Sequence, residues 1–160
     1  MTVTSVGPIR FGSVSMTTLT LGANDPEVGT VVIEGDEEYI FVYNNGATAI
    51  SKGQFAVATA VTGYSVTVSS ITHSDYPIGV CKHATLLASS YGWLLRKGFG
   101  PMQAGSAIVA GDALTPGADG NWQTRLATTA YSQVIAPTVF GKCMVSAASS
   151  GVGDAYYNIG

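Results

Sequence analysis

The residues with catalytic potential are few, and the densest group of them is His73-Ser74-Asp75. These are the residue types of a hydrolytic triad, in which a histidine base activates a serine hydroxyl. A triad requires residues from separated elements that converge in space, so three consecutive residues in one turn cannot adopt its geometry. The stretch precedes Tyr76-Pro77 and has ordinary turn composition. We therefore interpret it as a loop without a catalytic role.

Two groups of residues contain metal-ligating side chains. His73, Cys81 and His83 do not have the four-ligand spacing of a structural zinc site, and a strand cysteine with surface imidazoles is the favoured interpretation. Glu34 and the run 36–38 could bind calcium, but calcium loops place their acids at alternate positions, whereas three of these are consecutive. We predict a solvated acidic turn, no metal and no cofactor.

Glycine-rich and aromatic stretches are further candidate ligand sites. The sequence Gly98-Phe-Gly-Pro101 lacks the following Lys and Ser/Thr of a phosphate-binding loop. Trp93 and Trp122, beside Arg96 and Arg125, could stack on sugars or bases. Tryptophan and arginine are also enriched at protein interfaces, so we favour a core or subunit-interface role for these aromatics. No constellation of acid, base and nucleophile emerges, and we predict that the protein is not an enzyme.

Composition narrows the class of protein further. A chain of 160 residues is most simply one domain. Charged residues make up only 11% of it, against about 25% in an ordinary soluble domain. So weakly charged a surface suits a protein whose exterior is covered by copies or partners. The net charge of −3 argues against nucleic-acid binding, which requires a basic surface.

The cysteines and the hydropathy indicate the compartment. Cys81 and Cys143 could pair, but we favour two free buried thiols, since free cysteine packs as a small hydrophobe. Neither a secretory signal nor a run of about 20 apolar residues is visible. We therefore expect no membrane association, and synthesis in the cytoplasm without export unless another component carries the protein out.

Two short motifs recur at nearly constant offsets. Ile-x-x-Gly at residues 50–53 recurs at 108–111, an offset of 58, and Gly-x-Cys at residues 79–81 recurs at 141–143, an offset of 62. The second copy of the first motif continues through a Gly111-Asp112 turn, a short strand and an Asp119-Gly120 reversal. These offsets predict a duplicated all-β unit with a few residues inserted between its halves.

The hydrophobic pattern favours strands separated by turns. Further predicted strands cover residues 30–33, 39–43, 54–61, 64–69, 77–82, 92–97, 107–109, 121–125, 138–146 and 154–159. The run 39–43 is aromatic on one face and aliphatic on the other, which is typical of a strand buried on both sides. Short helical stretches are predicted at 84–90 and 126–131. We expect an all-β fold, a β-barrel or β-sandwich body at 29–160, and an extended N-terminal arm at 1–28.

Several elements together resemble a known family. They are Pro26-Glu-Val-Gly-Thr30, Gly35-Asp-Glu-Glu-Tyr-Ile-Phe-Val-Tyr-Asn-Asn-Gly46, Ile50-x-x-Gly53, Ile78-Gly-Val80, Gly92-Trp-Leu-Leu-x-x-Gly98, Ile108-x-x-Gly-Asp-x-Leu114 and Gly141-Lys-Cys143. Their order, over about residues 26–146, resembles the head decoration (cement) proteins of tailed bacteriophages. The resemblance implies a β-barrel or β-sandwich that forms a homotrimer on the outside of an icosahedral head and holds neighbouring major capsid subunits together. The length and the N-terminal arm depart from the shorter decoration proteins.

Specific contact residues and rival functions follow from this interpretation. Arg10 and Phe11 are predicted to dock the arm, and Trp93 and Arg96 to contact capsid or neighbouring subunits. One alternative is a carbohydrate-binding or host-attachment module of a virion that uses the two tryptophans and the tyrosines. A small β-barrel hydrolase with His73 or His83 is another. A major shell protein is disfavoured because no long helix is predicted.

Overall fold

The computed structural model describes residues 26–59, 64–68, 77–83, 85–124 and 139–159. Predictions that fall on Arg10, Phe11, His73-Ser74-Asp75, Arg125 and the helical stretch at 126–131 lie outside these ranges. Of the predicted arm, only residues 26–28 are described, and Val28 among them packs partly buried against the core. In the described ranges there is no helix that is long and apolar enough to cross a membrane.

The described chain is all-β, as the sequence predicts. It forms β1 (Val31–Glu34), β2 (Glu37–Asn44), β3 (Phe55–Ala58), β4 (Ser65–Thr67), β5 (Pro77–Val80), β6 (Ser90–Gln103), β7 (Ala113–Pro116), β8 (Trp122–Thr124), β9 (Gly141–Val145) and β10 (Val152–Asn158). A single 3-10 turn at Ala118–Gly120 separates β7 from β8. Asp119 and Gly120 both have positive φ, 56° and 70°, as expected of a tight Asp-Gly reversal.

Five strands close into a barrel in the order β2-β4-β3-β5-β6, with β6 returning to β2. The β2–β4 pairing is parallel and the other four are antiparallel. Aliphatic side chains and one cysteine fill the interior: Ile40, Val42, Ile50, Ala56, Val66, Cys81, Leu86 and Leu94. Tyr39 and Phe41 point to the other side of β2 and are also buried. This confirms that β2 is buried on both faces.

The second half of the chain repeats this arrangement. β6 runs past the first barrel and pairs with β10, β10 pairs with β9, β9 with β7, and β7 with β8. A parallel bridge between Ala104 and Trp122 joins β8 back to the end of β6. This bridge corresponds to the parallel β2–β4 pairing, where Asn44 lies opposite Val66. The described strands therefore form two five-stranded units of equal order that share β6. The first is a closed barrel, and the second, named here the second barrel, is joined at its open edge by this one bridge.

Backbone hydrogen bonds show that the recurring motifs occupy equivalent positions. The Gly53 N–H donates to the Cys81 carbonyl at 2.8 Å, and the Gly111 N–H donates to the Cys143 carbonyl at 2.8 Å. Both glycines have positive φ, 87° and 97°, which glycine adopts without steric cost. The duplication predicted from the offsets of 58 and 62 is thus confirmed at the level of individual hydrogen bonds.

The other recurring glycines are explained by close packing. A Cβ on Gly79 would lie 3.0 Å from the Leu95 carbonyl oxygen, and a Cβ on Gly141 would lie 2.8 Å from the Tyr156 carbonyl oxygen. Both distances are shorter than ordinary contacts, so each glycine lets its strand approach the long strand beside it.

Two local predictions are wrong. Residues 85–90, the described part of the helix predicted at 84–90, are not helical, since Leu86 pairs with Ile50 in an antiparallel bridge and is buried inside the first barrel. Tertiary burial of a leucine here overrides the local helical preference. The strand predicted at 107–109 is reduced to one bridge at Ile108, while β6 extends beyond Lys97 to Gln103.

The equivalent glycines allow a matched test of the fold. A Cβ on Gly53 would lie 2.7 Å from the Gln103 backbone nitrogen, whereas one on Gly111 would have nothing within 4 Å. We expect Gly111→Ala to lower the free energy of unfolding by about 1–2 kcal/mol through backbone strain. Gly53→Ala is expected to cost at least about 1 kcal/mol more, because overpacking is added to the strain. Denaturant unfolding of both variants measures this, and equal losses would contradict the packing of this turn against β6.

Candidate interaction surface

A cleft of about 400 Å³ lies at the junction of the two barrels. First-barrel loops contribute cations, and β6 and β10 contribute the opposite wall. The lining residues are Glu37, Lys52, Lys82, His83, Phe99, Gly100, Pro101 and Asp154. Charges of both signs line it, so the cleft has no uniform charge that would select a purely anionic or purely cationic ligand.

A hydrogen-bonded group at the start of β2 forms one side of the cleft. The Tyr39 hydroxyl donates to one Glu37 carboxylate oxygen, and the Lys82 ammonium pairs with the other. The His83 ring stacks on Tyr39 with centroids 5.9 Å apart, and its Nε2 lies 3.3 Å from the Tyr39 hydroxyl oxygen. The group ties the loop after β5 to β2 and so connects two walls of the first barrel.

The surroundings shift the pKa values of Glu37, Tyr39 and His83. Burial alone would raise the pKa of Glu37, but hydrogen bonds from Lys82 and Tyr39 outweigh it and lower that pKa. Burial and the Glu37 hydrogen bond raise the pKa of Tyr39, while burial and the charge of Lys82 lower the pKa of His83. At neutral pH the Glu37 carboxylate is therefore charged, and the Tyr39 phenol and the His83 imidazole are neutral.

The predicted contact residues on β6 differ in their exposure. Arg96 is partly exposed, and its guanidinium lies 3.0 Å from the Glu38 carboxylate. It also borders a shallow pocket of about 300 Å³ with mostly apolar walls. Trp93 is only 7% exposed and packs against Phe41 with ring centroids 5.0 Å apart. The structure therefore leaves Arg96 available to a partner and little of Trp93.

Both tryptophans belong to the core. Trp122 is fully buried between Phe55 and Tyr157, with ring centroids 4.9 Å and 5.3 Å away. The core interpretation of Trp93 and Trp122 is confirmed, and the exposed two-tryptophan stacking platform is not present.

The candidate metal ligands do not converge among the described residues. Cys81 is buried inside the first barrel, where burial raises its pKa to about 11, whereas His83 lies at the surface. Glu37 and Glu38 pair with different cations, and the described ranges contain no cluster of three or more metal-ligating side chains.

The cysteines occupy equivalent positions, one in each barrel. Cys81 and Cys143 are both buried and form no disulfide, which confirms the prediction of two buried thiols. Burial raises the pKa of each thiol, so both favour the uncharged form.

An exposed apolar face on the second barrel was not predicted from the sequence. Phe99 on β6 and Tyr156 on β10 are directly opposite in the antiparallel register, and both are substantially exposed. Val152 on β10 and Val145 on β9 extend the face along the sheet on either side of Asp154, which lies opposite Val145 and between Val152 and Tyr156. We name Phe99, Val145, Val152 and Tyr156 the apolar face. The one signal for this face in the sequence is Phe99 between two glycines, a pattern that is equally typical of a loop.

The fold can be compared with known structures. It is similar to the crystal structure of the N base of head fiber gp8.5 of bacteriophage phi29, with a TM-score of 0.52 and 15% sequence identity over 75% of this chain and 94% of that chain. The two proteins share a fold. No family model matches the chain, and no curated protein matches its sequence.

The Glu37 group makes stability dependent on pH. Because folding lowers the Glu37 pKa from its usual 4.5, the stabilisation is present above that value and is lost as the pH falls through the lower folded-state pKa. We expect Glu37→Gln to be less stable than the unsubstituted protein at neutral pH, with the gap narrowing below about pH 4.5. Urea unfolding at several pH values measures it. Asp36→Asn, at the exposed turn before β2, is the matched control, and a gap for Glu37→Gln that stays constant into acid would contradict the assignment.

Proposed function

We propose that this protein is a virion structural protein of a tailed bacteriophage that binds the outside of the head as a homotrimer and stabilises contacts between major capsid subunits. The observation that carries the proposal is the fold shared with the phi29 head-fiber base, which extends over 94% of that chain. The order of the sequence elements, which resembles the decoration proteins, supports the same class of virion component.

The surface chemistry supports an assembled existence. Only 11% of the residues are charged, and the second barrel exposes adjacent aromatic and aliphatic side chains. A surface of this kind is better suited to burial against other subunits than to permanent exposure. The net charge of −3 disfavours DNA as the partner, and we propose the major capsid protein instead.

The proposed stabilisation of the shell is a thermodynamic linkage between binding of this protein and assembly of the capsid. A protein that binds the assembled shell and not its dissociated subunits shifts the assembly equilibrium by mass action. Each bound copy adds buried area across contacts between neighbouring subunits, and a threefold arrangement of copies adds avidity. Arg96, partly exposed on β6, is available for such contacts, and Arg10 and Phe11 remain predicted contacts of the arm.

Carbohydrate binding by a host-attachment module is the alternative. This alternative requires the two tryptophans at the surface, but both are in the core. Phe99 and Tyr156 are the remaining aromatic pair on one surface. A glycan array probed with the purified protein distinguishes this role from capsid binding.

A reconstitution experiment tests the proposed function. Heads prepared from phage that lack the gene are mixed with purified protein and sedimented, and dissociated capsid subunits serve as the control. We expect saturable binding to heads, no binding to free subunits, and release of DNA at a higher temperature from the decorated heads. Protein that stays in the supernatant at every concentration would refute the proposal.

The arm gives a second test. Deletion of residues 1–25 is expected to leave the two barrels folded, since the described strands begin at Val31, and to weaken binding to heads. Arg10→Ala/Phe11→Ala in the full chain is expected to reproduce part of that loss. Unfolding curves check that folding is unchanged. Normal decoration by the truncated protein would show that the arm does not dock.

A further inference from the structure

Corresponding outer faces of the two barrels are covered to different degrees. In the first barrel, Tyr39 lies opposite Leu95, and their exposed fractions are 1% and 0%. In the second barrel the corresponding opposed pair is Phe99 and Tyr156, with exposed fractions of 45% and 40%. The repeat thus places large apolar side chains at the same two positions in both barrels and buries only the first pair.

The second barrel helps to cover the first pair. Leu95 packs against the backbone of Gly100 so closely that a Cβ there would lie 2.8 Å from the leucine Cδ2. Phe55, on the outside of the first barrel, contacts the Trp122 ring of the second at 4.9 Å. The outer side chains of the first barrel and the interior of the second form one continuous hydrophobic cluster. An apolar outer face in this repeat is therefore a surface on which another barrel packs.

The last unit of a tandem repeat normally has a polar outer face, because no further unit follows to cover it. Here the last barrel keeps Phe99 and Tyr156, and Val152 and Val145 beside them are 59% and 50% exposed. Lys142, opposite Tyr156 on β9, and Lys97, opposite Asn158, border this apolar face with charge. Asp154 lies among these side chains, opposite Val145 and between Val152 and Tyr156 on β10. The face therefore combines exposed aromatic and aliphatic side chains with charged ones, and protein interfaces likewise combine aromatic side chains with polar groups.

We infer that the apolar face of the second barrel docks the first barrel of a second copy of this chain. The packing of one barrel on another, which exists within the chain, is thereby repeated between copies. Its two sides are different surfaces, so it is heterologous and closes into a ring when the rotation permits. The ring size of three rests on the proposed function, whereas the face itself is argued from the repeat.

Light scattering across a dilution series tests the inference. We expect a species of three chains for the unsubstituted protein. For Phe99→Glu/Tyr156→Glu we expect the concentration at which half of the trimer dissociates to rise by about tenfold or more. Val109→Glu is the matched control, since Val109 is 63% exposed but lies in the turn after β6 and not on the apolar face. Its mass should not change.

Hydroxyl-radical footprinting of the unsubstituted protein provides a second measurement that does not depend on a variant that folds. Phe99 and Tyr156 should become protected as concentration rises, and Val109 should not. A trimer that survives both glutamates, or a monomer at every concentration, would overturn the inference. A symmetric dimer in which two apolar faces meet would also overturn it. Each of these results leaves the proposed attachment to the head standing if heads are still decorated, and removes only the homotrimer formed through this face. Failure of decoration with an intact trimer refutes only the proposed attachment.

Discussion

The pairing of one long strand, β6, holds both barrels together. Its first half pairs with β2 and β5, and its second half pairs with β10. The β2–β6 register shifts between Glu38 and Tyr39, which inserts Arg96 as one extra residue. Since side chains alternate along a strand, this bulge makes Leu94 and Gly100 point to opposite sides of the sheet. The first barrel therefore closes on one side of β6 and the second barrel on the other.

This geometry explains how two small barrels make one stable body. A five-stranded barrel of this size encloses few side chains. The first barrel gains an additional buried layer on its outer face, where Tyr39, Phe41 and Trp93 pack with the interior side chains of the second barrel. Glycines at positions 98 and 100 permit the close approach, because a Cβ on Gly98 would lie 2.8 Å from Glu37 Cγ. The stability of each barrel is thus coupled to the other, and one face of the last barrel is left apolar.

Much of this fold could be predicted from the sequence, and the remainder depended on contacts distant in the chain. Alternation in β2 and the positive-φ glycines of the repeated turn are local signals, so the all-β class and the duplication could be predicted. The sequence pattern around Gly98 and Gly100 is typical of the end of a strand. In the structure both positions must be glycine, because a Cβ there would be too close to Glu37 or Leu95. The side of β6 on which each barrel closes determines that Trp93 and Trp122 lie in the core and that Phe99 is exposed. Residue spacing alone does not specify that side.

The proposed role of this two-barrel protein is that of a component of the phage head. Quantitative mass spectrometry of gradient-purified virions, before and after heads are separated from tails, tests it most directly. We expect the chain to copurify with heads in a fixed ratio to the major capsid protein, and mild denaturant to release it before the shell dissociates. Absence of the chain from purified heads, with the protein recovered only from the soluble lysate or from tails, would contradict the proposed role.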